Sequence, residues 1–451
     1  MSSNPHGSNE KPSAKQLLGF SAMALPISGA LLPLGVFLPT FYATDLGLGL
    51  AATGTVFMLS RLWGALNDPL VGWLSDRTRS RYGRRKPWIV AGGLLAILCT
   101  FALFMPPRQV SALYLGLALY VFSLGWSMVS IPLYAWGGEL SPDYHQRSRV
   151  QAYIVGAIQF GLLLVLLFPT FLDALGRPAL RGKLAAIAWF MIATTVLGLA
   201  LITTSYRERR PSVTSIPPVA ATPPWGLLAE SIVWRVMASD FCVAFGQSIR
   251  GALFLFFVAA VAGKPQWAAG LFLLQFIFGA FAAPLWLRIG YRLGKHRTVI
   301  AAELLQVAIN LALLLVTRDT AALLLGLTAA QGLTQGSGNL MLRAIVADVS
   351  DAWRAKSGED RTGLLFSVFN VTFSVGAALA VGAALPLVAW FGFKPGAINT
   401  PSALAALQWT FACGPALGHL LSAILVWRFP LDQQAHAAIR ATLAQRDKAT
   451  C

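Results

Sequence analysis

The chain has 451 residues, of which 56% are apolar and only 12% charged, against the ~25% charged typical of a soluble protein. That balance excludes an ordinary soluble domain. The four scattered cysteines (Cys99, Cys242, Cys413, Cys451) have no CxxC or Cys/His spacing, which argues against a metal site and a disulfide framework. A net charge of +17 raises the question of a nucleic-acid partner, which the placement of the basic residues answers below.

The N-terminus is a short polar tail up to about Lys15, without the pattern of a cleavable signal peptide. The first apolar stretch is therefore expected to remain as a membrane span. A span needs about 20 mostly apolar residues to cross ~30 Å of hydrocarbon. That length places spans at 17–43, 51–75, 88–106, 111–137, 150–172 and 184–204, and a second set at 236–262, 267–289, 298–317, 320–347, 362–391 and 405–428. Between the sets, a polar stretch with Arg207, Arg209, Arg210 and several prolines reads as a linker. The expected organisation is a six-helix bundle over 1–205, a cytoplasmic linker over 206–234, a second six-helix bundle over 235–430 and a cytoplasmic tail over 431–451. Residues 433–445 could form a short surface helix.

With both termini in the cytoplasm, most of the 35 lysines and arginines fall in cytoplasmic segments, as the positive-inside rule requires. The basic balance is then a topology signal, and no nucleic-acid partner is expected. The two halves also echo each other. Span 2 is followed by Gly72-Trp-Leu-Ser-Asp76-Arg77 and Gly83-Arg84-Arg85-Lys86, and span 8 by Gly290-Tyr-Arg292-Leu-Gly294-Lys295-His296-Arg297. Span 4 ends in Glu139 and Asp143 before Arg147 and Arg149; span 10 ends in Asp348 and Asp351 before Glu359, Asp360 and Arg361. Matching loops at matching positions are the mark of parallel transporter repeats.

Residues 61–88 read RLWGALNDPLVGWLSDRTRSRYGRRKPW. This segment resembles the loop between spans 2 and 3 of major facilitator transporters. Its insertion at Thr78–Tyr82 is similar to the form found in the glycoside–pentoside–hexuronide cation symporters, the family of the melibiose permease. Asn67-Asp68-Pro69, Gly72, Asp76, Gly83 and Lys86-Pro87-Trp88 carry the match, with support from Ile131-Pro132 and from Ala347-Asp348-Val349 onward into Gly363. The resemblance implies an all-α membrane protein with the major facilitator fold, twelve transmembrane helices in two pseudo-symmetric six-helix bundles. It also implies a monomer in the cell inner membrane that alternates access to a midplane site. It assigns Asp76, Arg84 and Arg85 to a charge network that latches the halves, with Glu139, Arg147, Asp348 and Arg361 as partners. Several family positions differ here. Gly64 replaces the second aspartate of the cation pair, and Gly29, Ser130, Ile154 and Ser374 stand where the permease has charged groups. The scaffold is kept and a changed cargo is expected.

Ionisable groups inside spans are costly and usually functional. On span 2, Arg61, Gly64 and Asp68 share one stripe at i, i+3 and i+7. A carboxylate in that setting suits proton or cation handling, while a permanent Arg61–Asp68 pair or direct substrate contact are the alternatives. Span 7 carries Asp240, Gln247 and Arg250; an arginine there can clamp an anion with a bidentate fork or pair with a buried acid. Span 10 offers Gln331, Gln335 and Asn339, and span 11 Ser367, Asn370 and Ser374, either as substrate contacts or as packing groups. Glu303 is expected to snorkel to the interface. Trp63, Trp126, Tyr134 and Trp136 could stack on a sugar, or in the case of Trp136 anchor the interface. No nucleophile–base set, metal cluster or phosphate loop stands out, so no enzyme, metal or cofactor is expected beyond a coupling H+ or Na+. The expected function is cation- or proton-coupled symport of a small polar organic solute, a sugar or glycoside by resemblance. The alternatives are a carrier of a lipid-like amphiphile and a non-transporting membrane sensor.

Overall fold

The computed structural model describes residues 13–28, 33–78, 80–139, 144–176, 179–205, 230–335, 337–357, 362–431 and 433–450, and among these it is helical throughout, with no strand. The helices are α1 (Ala14–Ser21), α2 (Leu38–Thr44), α3 (Leu50–Arg77), α4 (Lys86–Phe104), α5 (Ala112–Glu139), α6 (Tyr144–Ala174) and α7 (Leu180–Ser205) in the first half. The second half holds α8 (Ser231–Phe256), α9 (Ala268–Leu293), α10 (Lys295–Ala312), α11 (Ala321–Thr334), α12 (Ser337–Ser357), α13 (Thr362–Trp390), α14 (Pro401–Val426) and α15 (Gln433–Thr450). Helix α8 starts four residues inside the expected linker, after an extended Glu230. Residues 206–229, the rest of that linker, lie outside the described residues.

Nine helices among the described residues are long and apolar enough to cross a membrane. The segments that miss this measure are those interrupted by polar or irregular backbone. Helix α3 carries Arg61, Asp68 and an internal Pro69. The first span is not one helix as expected: a wider π turn over Pro33–Phe37 precedes α2. The tenth is also broken, because Gln335 takes an extended backbone (φ −62°, ψ 132°) between α11 and α12. Such breaks persist within a membrane only where protein or water-lined space satisfies the freed backbone groups.

One apolar core runs through both halves, and a smaller one lies within the second half. In the first half, the buried Tyr42 hydroxyl donates to the Leu103 carbonyl at 3.0 Å, tying α2 to α4. In the second half, α8 packs along both α13 and α14. The halves meet where α3 lies on α13, α6 on α9, and the π turn with α2 on α8. A Cβ at Gly54 would lie 3.0 Å from the Leu385 Cβ and one at Gly270 3.9 Å from Thr170. An aromatic ladder closes the same end, with Phe254 and Phe272 centroids 4.1 Å apart, Phe257 and Phe411 4.2 Å, and Phe37 and Phe272 6.5 Å. All of these contacts lie toward the end opposite the basic loops at 78–85 and 294–297. The halves are thus closed against each other at the face opposite the basic loops.

Candidate functional site

Helices α3 and α5 run parallel with a constant offset. A Cβ at Gly64 would lie 3.1 Å from Ser123 Oγ, and one at Gly72 3.5 Å from Ile131. On the same register, the Ser127 hydroxyl donates to the Asp68 carboxylate and accepts from Asn67 Nδ2 at 3.2 Å. Asn67 is buried and Asp68 is exposed, on the part of α3 nearer the basic face. Pro69 follows and has no N–H to give the Ala65 carbonyl. A carboxylate, a hydroxyl and a carbonyl without its helical donor therefore share one stretch of wall. Arg61 does not join them, since neither it nor Asp68 forms an ion pair among the described residues. Its guanidinium packs instead against the π turn, where a Cβ at Gly35 would come within 3.0 Å of Nη2.

The second half presents a different polar set. Arg250 is buried on α8, and its Nη2 donates to Gln275 Oε1 at 3.3 Å. Gln275 in turn donates to Gln335 Oε1 at 3.1 Å, so the helix break between α11 and α12 supplies the end of the chain. The other terminal nitrogen of Arg250, Nη1, is buried without a hydrogen-bond partner among the described residues. Gln247, one turn earlier on α8, is half-buried. The break also removes the expected stripe of Gln331, Gln335 and Asn339, since those positions no longer belong to one helix; the Asn339 and Ser367 side chains lie outside the described residues. Gln331 instead donates to Gln306 at 2.7 Å. On α13, Asn370 is exposed and accepts from Arg343 Nη2 at 3.4 Å. Tyr134 is half-buried on α5.

Asp240 is wholly buried, and neither carboxylate oxygen has a hydrogen-bond partner among the described residues. Glu303 does not snorkel. It is buried against His419, whose Nδ1 it meets in a short hydrogen bond. The reason is the tight packing of α10 on α14, which leaves the carboxylate no route to the interface.

At the basic face, Asp348 binds Lys295 through both oxygens at 2.7 Å and faces His436 of α15 at 3.3 Å. These partners belong to its own half. Arg85 is buried and donates to Ser75 at 2.9 Å, and Arg84 stands beside it, half-buried. Arg361 and the side chains of Asp76, Glu139 and Arg147 lie outside the described residues.

Sequence reasoning passed over Ser127, Gln275, Arg343 and His419. A signal for the first existed, because Ser123, Ser127 and Ser130 form a stripe at i, i+4 and i+7 on α5. Gln275 and His419 each stand alone in an apolar stretch, and only the helix pairing gives them partners.

Residues 19–433 match the model of a family described as MFS/sugar transport protein. The chain is 25% identical over 418 residues to the inner membrane symporter YicJ of Escherichia coli K12, covering 87% of this chain and 86% of that one. It is 22% identical over 454 residues to the glucuronide carrier protein homolog of the same organism, covering 98% and 97%. A bacterial homologue of the human lysosomal transporter Spinster, solved in an inward-facing and unoccupied conformation, shares the fold with a TM-score of 0.66 at 14% identity, over 96% of this chain and 99% of that one. The chain belongs to the MFS/sugar transport protein family, and is a multi-pass membrane transporter of small molecules rather than an enzyme.

Proposed function

We propose that this protein is a symporter that uses a proton or sodium gradient to move a glycoside-like solute through the cell inner membrane. The observation that carries this reading is the exposed Asp68, held by Ser127 on one half, across from a half that carries Arg250, Gln275 and Gln335. A carboxylate with adjacent hydroxyl and carbonyl oxygens suits a small monovalent cation or a proton. With Gly64 in place of a second acid, one carboxylate supplies the charge. Amides match sugar hydroxyls, and the unpartnered Arg250 Nη1 suits a carboxylate on the same solute. The name of the glucuronide carrier homolog supports an acidic glycoside as cargo.

In this reading the basic face is cytoplasmic, both termini lie there, and the conformation described is open to the cytoplasm. Twelve spans follow when the broken first and tenth segments and the charged α3 are each counted as one. The path runs between the two halves of a single chain, so a monomer suffices. Asp76, Arg84, Arg85, Glu139, Arg147, Asp348 and Arg361 would pair across the halves when the basic face closes, and the Lys295–Asp348 pair within the second half fits the open state.

Uptake into proteoliposomes under imposed proton or sodium gradients, with neutral and acidic glycosides, tests the reading. Accumulation that one gradient drives and that Asp68→Asn removes would support it. Gradient-independent behaviour across the whole panel would overturn it.

A further inference from the structure

The interior of the second half holds three ionisable groups that cargo binding does not use. Asp240 on α8, Glu303 on α10 and His419 on α14 are each at most 1% exposed. Counting ~1.5 Å per residue from the basic end of each helix, all three lie roughly 10–14 Å deep, about the depth of Asp68 in the other half. Their surroundings are tight. A Cβ at Gly418 would come within 2.5 Å of the Cys242 carbonyl and one at Gly246 within 3.1 Å of Pro415, so α8 and α14 touch backbone to backbone. Ser239 and Ser422 are hydrogen-bonded to each other at 2.8 Å across the same seam.

This packing leaves no room for a solute, yet it also leaves the polar groups incompletely bonded. Both oxygens of Asp240 and the Nε2 of His419 are buried without hydrogen-bond partners among the described residues. A purely structural pair would satisfy its members, because a buried charge without donors is among the costliest arrangements in a fold. A proton bound to the carboxyl removes that cost by neutralising it. The charged groups acting on Asp240 are Arg343 of α12 and Glu303 of α10. Cys242 of α8 lies within reach of Glu303, and α13 brings no ionisable residue over its whole length. Arg343 is exposed, and it bonds Asn370 on α13. It therefore links the buried acid electrostatically to an exposed polar residue of α13.

We propose that Asp240, with the hydrogen-bonded Glu303–His419 pair, forms a second proton-binding site inside the second half, separate from Asp68. Its bound proton neutralises Asp240 in the basic-face-open conformation. When the halves rock and the position of Arg343 changes, the balance of charge at Asp240 changes with it and the proton is released or exchanged. Its use in coupling rests on the symporter reading. The site itself can be tested without any cargo.

The test is infrared difference spectroscopy of the purified full-length protein in detergent between acidic and alkaline buffers, with indicator-dye counting of protons taken up after a pH jump. The wild type is expected to show the carbonyl stretch of protonated carboxylic acids. Asp240→Asn should lose one component of that band and take up fewer protons. Asp240→Glu keeps the carboxyl and covers the case in which the amide variant does not fold; its component should move in frequency. A band and a proton count identical in wild type, Asp240→Asn and Asp240→Glu would overturn the proposal. Failure of every glycoside to accumulate in vesicles would count against the symporter reading alone and leave this band in place.

Discussion

Ser127 stands between two neighbours on α3, donating to Asp68 and accepting from Asn67. The arrangement follows from the parallel register of α3 and α5, which also sets Gly64 beside Ser123 and Gly72 beside Ile131. A hydrogen bond to a charged group contributes ~1.5–3 kcal/mol. Asp68→Asn is expected to abolish gradient-driven accumulation of glycoside while solute counterflow, which needs no net cation movement, continues. Ser127→Ala should weaken accumulation by about tenfold, the equivalent of ~1.4 kcal/mol, with counterflow preserved. Equal loss of both modes in either variant would mean that the cluster holds the fold rather than the cation.

Arg250 is held from one side by Gln275, which is itself held by Gln335. Lysine keeps the charge but not the planar fork. Arg250→Lys should therefore weaken binding of a glucuronide by about 30-fold, the equivalent of ~2 kcal/mol, and leave a neutral glycoside within about twofold. Gln275→Ala should give a smaller loss of the same kind, since it frees the guanidinium to wander. Ligand-induced shifts in melting temperature of the purified protein report both. Parallel losses for acidic and neutral glycosides would remove Arg250 from carboxylate recognition.

How much of this was legible beforehand depends on the range of the interaction. The apolar runs gave α4–α7, α8–α10 and α13–α14 nearly as they stand, because a 20-residue ruler is a local property. Asp68, Arg250 and Gln335 were also legible, as polar groups where polarity is costly. The break at Gln335 was not, because Gln331, Gln335 and Asn339 read equally well as one stripe on an unbroken span. Glu303 was misjudged for a different reason. Its closeness to the loop at Gly294 suggested an escape to the interface, and its partner His419 is 116 residues away in sequence. Nothing local in the chain says that α10 packs on α14. Ser127 lies between these cases, since its stripe is local but its register against Asp68 is not.

Helix α15 docks on α12 at the basic face by two means of unequal strength. His436 meets Asp351 at 3.1 Å and Asp348 at 3.3 Å in a part-exposed setting, where an ion pair contributes ~0.5 kcal/mol. Leu443 is buried, and a buried leucine contributes ~1.5–3 kcal/mol. His436→Ala should speed amide exchange over residues 433–450 by about twofold, and Leu443→Ala by at least about tenfold. Equal acceleration in the two variants would show that the ion pairs hold this helix as strongly as its apolar contact.

The closed face gives the most direct test of how the halves move. A Cβ at Gly54 on α3 would lie 3.0 Å from the Leu385 Cβ on α13, and Pro386 and the Val381 carbonyl crowd the same spot. Disulfides need Cβ atoms ~3.5–4.5 Å apart, so the Gly54→Cys, Leu385→Cys pair requires the helices to give by less than about 1 Å. Cys99, Cys242, Cys413 and Cys451 would first be replaced. If transport proceeds by rocking the halves about the central site, this face must open once in every cycle, and the α3–α13 seam must part. Oxidant should then form the cross-link readily, stop both accumulation and counterflow, and leave the basic face open to a membrane-impermeant thiol reagent at an added Asn370→Cys. Reductant should restore transport. A fully cross-linked protein that still moves glycoside at the uncross-linked rate would show that the seam stays closed throughout the cycle, and that the solute leaves by a route other than the parting of these two halves.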